Sequence, residues 1–428
     1  MNSSPNSRPI WWIPSLYLAE GLPSAVVTGM AGVALLDFGY SGAETAMYTA
    51  FLALPWAFKP FWAFLVERFA TRRAWIIAMQ GVMTLLLLAL AWVLPEKNLL
   101  PLILVLLAGT AFASATHDIA ADGFYIEALD EHRQAEWSGI RNTFFRVAIL
   151  AGNGGLVWLA GRYEKSHGSV AAWTMAFAVA GLAMGAFALY DFWAIPRKVK
   201  APRWDPVSDP AHGFVSVWSA FVKKPGFYRI LAFILLYRFA EGQVQNSNKA
   251  FFLATRAHGG LGLATDEVGL LYGTWGIIAL TLGGIVGGLL IARTGLGRLI
   301  WLMCAAMNLP NILYVWMALA HPQNRTVIGG IIFLEQFGYG FGFAAFMVYL
   351  LYVSRGVHAT SHYAICSALM AVGMAVAGLV AAEALHITAS IPGGGYPQFF
   401  GWVMLCTLAS FATLWKLPLE GDFGRRSA

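Results

Sequence analysis

Ionisable side chains cluster at residues 111–146, a stretch of the sequence between two long apolar runs. Asp118 and Asp122 are four residues apart, so they share one face if this stretch is helical. The same spacing recurs later in the stretch at Ser138, Asn142 and Arg146. A charge at the centre of a bilayer costs about 2.5–3.5 kcal/mol, so such groups usually line a cavity or pair with one another. The spacing therefore predicts a polar seam between two neighbouring helices.

The chemistry that this seam offers is proton exchange. Desolvation penalises the ionised form of a carboxylate and a nearby guanidinium favours it, so a carboxylate under both influences can bind and release a proton. Asp118 and Asp122 are the first candidates, and the alternative for them is a purely structural ion pair with Arg141 or Arg146. For His117 the alternative is a hydrogen-bonded packing role. The full set predicted for proton coupling is Asp118, Asp122, Arg146, Glu20, Glu241, Arg141 and His117.

The composition is that of a polytopic α-helical membrane protein. Of 428 residues, 58% are hydrophobic and 12% are charged, whereas roughly 25% are charged in soluble domains. This length allows roughly a dozen spans of about 20 apolar residues each. The three cysteines all lie in apolar runs, which argues against a disulfide framework or a metal cluster. We expect the lipid bilayer as the environment, and no metal, cofactor or nucleic-acid partner.

Twelve spans are predicted, with a polar segment at 195–225 that divides six from six. This segment is predicted to be a cytoplasmic linker between an N-terminal six-helix bundle at 1–194 and a C-terminal one at 226–428. The predicted spans lie at about 11–35, 44–65, 74–94, 99–124, 138–160, 170–194, 227–253, 266–291, 298–319, 326–353, 361–384 and 397–416.

Lysine and arginine are distributed unevenly between the loops on the two sides. One side, which includes both termini and the central segment, holds most of them. The other side holds only Lys97, Arg162, Lys165, Arg256 and Arg325. Because cytoplasmic loops carry the excess of positive charge, both termini are predicted to be cytoplasmic.

An internal repeat relates the two halves at an offset of about 220–225 residues. Tyr17 precedes Glu20 in the first span as Tyr237 precedes Glu241 in the seventh. Two parallel six-helix halves are the major facilitator architecture. The loops after the second and eighth spans resemble the basic signature of that superfamily, although Ala292 replaces its acid. The cytoplasmic latch predicted in these loops consists of Glu67, Arg68, Arg72, Arg73, Arg293 and Arg298.

Polar side chains in several spans are candidates for solute recognition. Gln245 and Asn248 lie on one face of the seventh span, and amides that both donate and accept hydrogen bonds suit a sugar or a peptide. Arg238 in the same span would attract an anionic solute. The residues predicted to bind substrate are Tyr17, Ser24, Lys59, Tyr125, Asn142, Arg238, Gln245, Asn248, Glu335 and Gln336.

Several motifs resemble the AmpG-like muropeptide permeases of the major facilitator superfamily. They are ATHDIAADGFYIEAL, the later run SGIRNTFFRVAILAGNGGLVWLAG, the step Gly21-Leu22-Pro23, and Leu54-Pro55-Trp56 with Lys59-Pro60. The resemblance covers mainly residues 11–165. It implies proton-driven import of anhydro-muropeptides, the disaccharide-peptides released from the cell wall, across the Gram-negative inner membrane. We expect a monomer that takes a muropeptide or a related amino sugar.

Two departures leave the substrate open. Many AmpG proteins are longer at the C-terminus, and His117 stands where many relatives have Gln. The alternative within transport is a proton-coupled carrier of another sugar or glycoconjugate, or an acetyl-CoA-type transporter. Outside transport, the alternatives are a receptor and a membrane-embedded acyltransferase with His117 and Asp118 as catalytic groups. Twelve repeated spans without a sizeable soluble domain argue against an enzyme, so we expect no catalytic residue.

Overall fold

The computed structural model describes residues 8–95, 99–197 and 213–426. These residues form helices joined by short connections, and no β-strand occurs among them. The predicted all-α fold is therefore confirmed. The helices are α1 (Pro9–Asp37), α2 (Gly42–Phe58, continued by Ala63–Arg68), α3 (Arg72–Val93), α4 (Leu100–Ala128), α5 (Glu131–His167), α6 (Ser169–Ala194), α7 (Phe214–Val222), α8 (Phe227–Leu236 and Phe239–Leu253), α9 (Thr265–Thr294), α10 (Leu296–Ala320), α11 (Arg325–Ser354), α12 (Ala359–Ser390) and α13 (Tyr396–Ala412).

In the described part of the chain, nine helices are long and apolar enough to cross a membrane. They are α1, α3, α4, α5, α6, α9, α10, α11 and α12. The remaining three predicted spans coincide with α2, α8 and α13. The short helix α7 lies within the segment predicted to be a linker, of which residues 198–212 fall outside the described ranges.

Local sequence signals explain where several helices begin and end. The Ser41 hydroxyl accepts a hydrogen bond from the Glu44 N–H at the start of α2, and the Glu44 carboxylate accepts one from the Ser41 N–H. This reciprocal capping satisfies two backbone donors that the helix leaves unpaired. Gly168 between α5 and α6 and Gly295 between α9 and α10 have φ of 81° and 93°, a region that side chains with a Cβ rarely adopt.

Helices α1 and α5 approach each other closely through glycine. A Cβ on Gly21 would lie 2.5 Å from the Phe145 carbonyl oxygen, and one on Gly29 would lie 1.9 Å from the Asn153 Oδ1. Each helix widens by a π-turn near this contact, at Val26–Met30 and at Ala151–Leu156. This close packing brings the backbone of α1 directly against α5.

Contacts divide the chain into two compact units that are not continuous in sequence. Unit 1 comprises the described residues of Met1–Ala128, Arg141–Trp218 and Arg355–Ala368. Unit 2 comprises those of Leu129–Ile140, Ser219–Ser354 and Leu369–Ala428. The first residues of α12 thus belong to unit 1 and those of α5 to unit 2. The division into bundles at the central segment stays a prediction.

The residues that follow α13 fold back onto unit 2. The Leu296 N–H donates a hydrogen bond of 2.9 Å to the Phe423 carbonyl, and Arg298 pairs with Asp422 at 2.8 Å. Phe423 is buried, whereas Arg298 and Asp422 are exposed. The C-terminal segment therefore covers the connection between α9 and α10.

Candidate functional site

Five ionisable side chains of unit 1 converge in what we call the charge cluster. They come from α1, α2, α4 and α5, and each is at most 8% exposed. Oxygen atoms of the three carboxylates lie within 4.8 Å of one another. The members of the charge cluster are Glu20, Lys59, Asp118, Asp122 and Arg141.

Two of the three acids have a cationic partner. The Lys59 ammonium group pairs with Asp118, and the Arg141 guanidinium pairs with Asp122 at 2.9 Å. The Tyr17 hydroxyl donates a further hydrogen bond of 3.2 Å to Asp122. Lys59 reaches this position because α2 is interrupted by a short 3-10 turn that begins at this residue and contains Pro60. The spacing of Asp118 and Asp122 on one helical face thus brings both acids to cations on neighbouring helices.

The guanidinium of Arg141 is enclosed by aromatic rings. Its central carbon lies 4.8 Å from the ring centres of both Tyr17 and Tyr125, and 5.4 Å from that of Tyr363. Arg141 also donates a hydrogen bond of 2.6 Å to the Tyr363 hydroxyl. Cation–π contacts of this kind strengthen when they are shielded from water. They hold the Arg141 charge in place beside Asp122.

Glu20 differs from the two aspartates. Its Oε2 atom is buried and has no hydrogen-bond partner among the described residues. The nearest charged groups are the other four members of the charge cluster. Three carboxylates and two cations sum to one negative charge when all are ionised. One proton, or one monovalent cation, would make the charge cluster neutral.

Other residues predicted for unit 1 lie outside these ion pairs. The salt-bridge partners of Asp118 and Asp122 are Lys59 and Arg141, so of the two arginines considered from the sequence it is Arg141 that pairs with Asp122. Arg146, Ser24 and Asn142 are half-buried. Ser138, which shares the spacing of Asn142 and Arg146, belongs to unit 2, where its hydroxyl lies close to Gly288. Tyr125 is fully buried beneath Arg141.

Unit 2 contains a different kind of polar cluster, in which acids are held by neutral groups. Glu335 is fully buried and accepts hydrogen bonds from the Tyr314 hydroxyl at 3.1 Å and from the Gln336 amide at 3.0 Å. On α8, the Gln245 amide donates a hydrogen bond of 3.1 Å to Glu241, one helical turn away. Asn248 is fully buried on the same helix.

Arg238 is a buried cation of unit 2 with neutral partners. It is 7% exposed, donates a hydrogen bond of 2.7 Å to the Tyr339 hydroxyl and lies 4.5 Å from the centre of the Phe343 ring. Its Nε has no hydrogen-bond partner in the described ranges, and it forms no ion pair there. A buried guanidinium without a carboxylate is a natural partner for an anionic group of a ligand.

Glu67, one of the predicted latch residues, binds the start of α12 within unit 1. Its carboxylate accepts hydrogen bonds from the Ser361 N–H at 2.9 Å and from the Ser361 hydroxyl at 2.6 Å. Arg72 pairs with Glu127 at 3.0 Å and donates a hydrogen bond of 3.3 Å to the Thr360 hydroxyl. These two latch residues therefore contact a segment from the second half of the sequence.

The other latch residues make looser contacts. Arg73 donates hydrogen bonds to the carbonyls of Phe192 and Ile195 at the end of α6. Arg68 and Arg293 are exposed, and Arg298 forms the exposed pair with Asp422. The predicted latch thus divides into a buried part around Glu67 and an exposed part in the connection between α9 and α10.

The sequence did not single out three residues that the structure places in polar networks. Tyr363 contacts Arg141, and Gln80 and Asp191 form a separate network with His117. The pairing of Lys59 with Asp118 was also missed, since Lys59 was predicted to bind substrate. A signal was available for Asp191, which is an isolated acid within the apolar run of α6.

Comparisons with known proteins agree with this architecture. Residues 15–382 match the family model of the Major Facilitator Superfamily. The chain is 24% identical over 374 residues to the anhydromuropeptide permease of Escherichia coli K12, covering 86% of this chain and 72% of that protein. It is 22% identical to a transporter designated AmpG 4 of Rickettsia conorii, covering 90% of this chain and 89% of that protein.

Solved structures show the same fold. The Escherichia coli fucose:proton symporter FucP superimposes with a TM-score of 0.67 at 14% identity, covering 94% of this chain and 96% of that one. The proton:xylose symporter XylE superimposes with a TM-score of 0.64 at 12% identity, covering 96% and 95%. The chain belongs to the Major Facilitator Superfamily and is related within it to the AmpG permeases.

Proposed function

We propose that this protein is a proton-coupled carrier that imports anhydro-muropeptides from the periplasm to the cytoplasm in peptidoglycan recycling. Its substrate would be GlcNAc-anhydroMurNAc with or without the attached peptide. It would work in the bacterial inner membrane by alternating access, with both termini in the cytoplasm. The observation that carries this proposal is the charge cluster of unit 1, which holds one more acid than it has cations.

The excess acid supports proton coupling. Asp118 and Asp122 each have a cation, whereas Glu20 has none within hydrogen-bonding distance. A buried charge without a partner is unfavourable, so the charge cluster favours binding one proton. Glu20 is the acid best placed to carry it, and Asp118 and Asp122 set the field around it. Two relatives in fold are named as proton symporters.

Arg238 supports an anionic solute over a neutral sugar. The lactyl group of anhydroMurNAc carries a carboxylate when no peptide is attached, and the attached peptide supplies carboxylates when that group is an amide. A carboxylate bound by two parallel hydrogen bonds is the ligand that a guanidinium prefers. The buried amides and acids around Glu241 and Glu335 offer donors and acceptors for hydroxyl and amide groups. The related Escherichia coli protein is named an anhydromuropeptide permease.

Coupling follows if proton and solute both shift the same conformational equilibrium. A ligand shifts an equilibrium only as far as it binds one state more tightly than the other. Protonation of Glu20 removes the excess charge of the charge cluster, and the solute carboxylate compensates Arg238. Each event removes an uncompensated buried charge, so the loaded carrier can change state more readily than the half-loaded one.

Uptake into proteoliposomes tests the proposal. Purified protein is reconstituted, a pH gradient is imposed, and accumulation of labelled GlcNAc-anhydroMurNAc is followed in competition with its peptide forms, GlcNAc and neutral disaccharides. We expect accumulation that collapses with a protonophore and competition by the anionic compounds alone. Glu383→Gln, a change at an exposed side chain of α12, serves as the matched control. Accumulation that does not depend on the pH gradient would exclude proton coupling. Equal competition by neutral sugars would exclude an anionic muropeptide as the substrate.

A further inference from the structure

A second buried polar network lies in unit 1, and the charge cluster does not include it. Asp191 accepts hydrogen bonds from the Ser15 hydroxyl at 2.5 Å and from the Gln80 amide at 2.7 Å. The same Gln80 nitrogen lies 3.2 Å from the Nε2 of His117. We call these four residues the Asp191 network. Asp191, Gln80 and His117 are fully buried.

Asp191 has no cation to compensate its charge. In the described ranges it forms no ion pair, and its neighbours on α1 and α3 are the neutral Ser15 and Gln80. Arg73, the basic residue of α3 that contacts α6, instead donates to the carbonyls of Phe192 and Ile195. A buried ionised carboxylate without a cation carries a large desolvation cost, and binding a proton removes it.

The Gln80 amide links the protonation of Asp191 to that of His117. An amide nitrogen only donates hydrogen bonds, so the arrangement in the structure requires that neither the Oδ2 of Asp191 nor the Nε2 of His117 carries a proton. When Asp191 takes up one proton, its O–H becomes a donor and the amide can rotate to present its oxygen. That oxygen can then accept from Asp191 and from a protonated Nε2 of His117. Each of these two new bonds takes up one proton, one at the Asp191 O–H and one at the His117 Nε2–H, and no covalent bond is broken.

The Asp191 network extends from the end of α6 to the level of the charge cluster on α4. Asp191 lies three residues before the end of α6, and Ser15 lies near the start of α1. Gln80 is eight residues inside α3, which is roughly 12 Å along the helix. His117 directly precedes Asp118 on α4. These helix ends are on the side that the Lys and Arg distribution predicts to be cytoplasmic.

We propose that Asp191 is a second proton-binding site, through which the charge cluster exchanges its proton with the cytoplasmic side by way of Gln80 and His117. This inference rests on the proposed proton coupling. Asp191 would be the outer station of the path, and His117 the inner one next to Asp118. Ser15 would orient the Asp191 carboxylate and take no part in the transfer.

The test combines transport with a measurement on the protein alone. Asp191→Asn keeps the size of the side chain and a hydrogen-bonding oxygen, but the new side chain cannot bind or release a proton. His117→Gln likewise removes the ionisable group next to Asp118 and keeps a polar side chain. Ser15→Ala is the matched control, because it removes one hydrogen bond from Asp191 and leaves every titratable group. We expect Asp191→Asn and His117→Gln to slow gradient-driven uptake by about a hundredfold, the scale of losing a positioned proton-transfer group. Solute exchange without a gradient should stay near the wild-type rate.

Infrared difference spectra between acid and neutral pH supply the independent readout. We expect a carboxyl C=O band that Asp191→Asn removes and that Ser15→Ala only shifts. A purely structural network predicts that Asp191→Asn leaves both the band and the uptake unchanged, and that result would overturn the inference. Wild-type protein that shows no response to a pH gradient would instead overturn the proposed coupling. If Asp191→Asn does not fold, unchanged uptake by His117→Gln excludes the path on its own.

Discussion

The charge cluster of unit 1 and the polar cluster of unit 2 bury acids in opposite ways. In unit 1, Asp118 and Asp122 each bind a cation, and one acid is left in excess. In unit 2, Glu335 is bound by Tyr314 and Gln336, which are neutral. Opposite charges in a weakly polar interior interact strongly, whereas neutral donors bind a carboxylate and leave its charge in place. In the proposed function, unit 1 would therefore exchange protons and unit 2 would recognise the solute.

Removing one member of an ion pair should give the largest effect. Lys59→Met leaves Asp118 buried without its cation, which should cost about 3–5 kcal/mol of the free energy of unfolding. Lys59→Met combined with Asp118→Leu should recover most of that loss, since neither member of the pair is then left without its partner. In unit 2, Glu335→Gln should cost only about 1–3 kcal/mol, as expected for one hydrogen bond between buried groups. Thermal unfolding in detergent measures all three.

Equal losses for Lys59→Met and Glu335→Gln would break the contrast between the two units. A double variant no more stable than Lys59→Met would show that the Lys59–Asp118 contact is not an isolated pair.

Neutralising single acids of the charge cluster should separate accumulation from exchange. We expect Asp118→Asn or Asp122→Asn to abolish gradient-driven accumulation and to retain exchange. Glu20→Gln should do the same with little change in thermal stability, because Glu20 has no partner to lose. Glu335→Gln should keep accumulation. Counterflow and gradient-driven uptake in the same vesicles provide the measurement, and unchanged accumulation in all three unit 1 variants would remove the charge cluster from coupling.

Substitutions of Arg238 test the proposed role of unit 2 in binding an anionic solute. Arg238→Gln should weaken binding of an anionic muropeptide by about tenfold to a hundredfold, the worth of a charge-assisted hydrogen bond of about 1.5–3 kcal/mol. Arg238→Lys keeps the charge but loses the planar fork, so it should fall in between. A drop in the dependence on the pH gradient, with affinity unchanged, would place Arg238 in coupling instead.

The two latch loops should show the smallest effect. Arg298→Ala breaks an exposed pair with Asp422, and such pairs contribute about 0.2–1 kcal/mol. Glu67→Gln weakens buried hydrogen bonds to Ser361 and should cost more, about 1–3 kcal/mol. Unfolding measured at low and high salt separates them, because only the exposed pair is screened. If Arg298→Ala lowers the free energy of unfolding more than Glu67→Gln does, the exposed part of the latch contributes more to stability than the buried part, contrary to this prediction.

The sequence was sufficient for the helical architecture because its evidence is local. Apolar runs of spanning length, glycines such as Gly168 and Gly295, and the offset between Glu20 and Glu241 can all be read along the chain. The shared face of Asp118 and Asp122 also follows from helical spacing alone. These features depend on hydrophobicity and helix geometry, and neither requires knowledge of which helices are neighbours.

The partners of those acids could not be derived in the same way. Arg141 and Arg146 are five residues apart and lie on different faces of α5, and the packing of Gly21 against Phe145 decides which one meets Asp122. Lys59 depends on the break in α2, and Tyr363 comes from the distant second half of the sequence. Asp191 is an isolated acid in an apolar run, but it lies near a predicted span end, where an acid is ordinarily solvated. Its burial depends on Ser15 and Gln80, which come from two other helices.

The interchange of segments between the two units bears on how the chain could be divided. A break in the central linker would separate residues 129–140 from the remainder of unit 2, and residues 355–368 from that of unit 1. Each unit would then lack a segment that the other fragment carries, and it would expose apolar surface where that segment packs. Co-produced fragments would need to find each other in the bilayer before either became resistant to proteolysis, so complementation between them would report on that interchange directly.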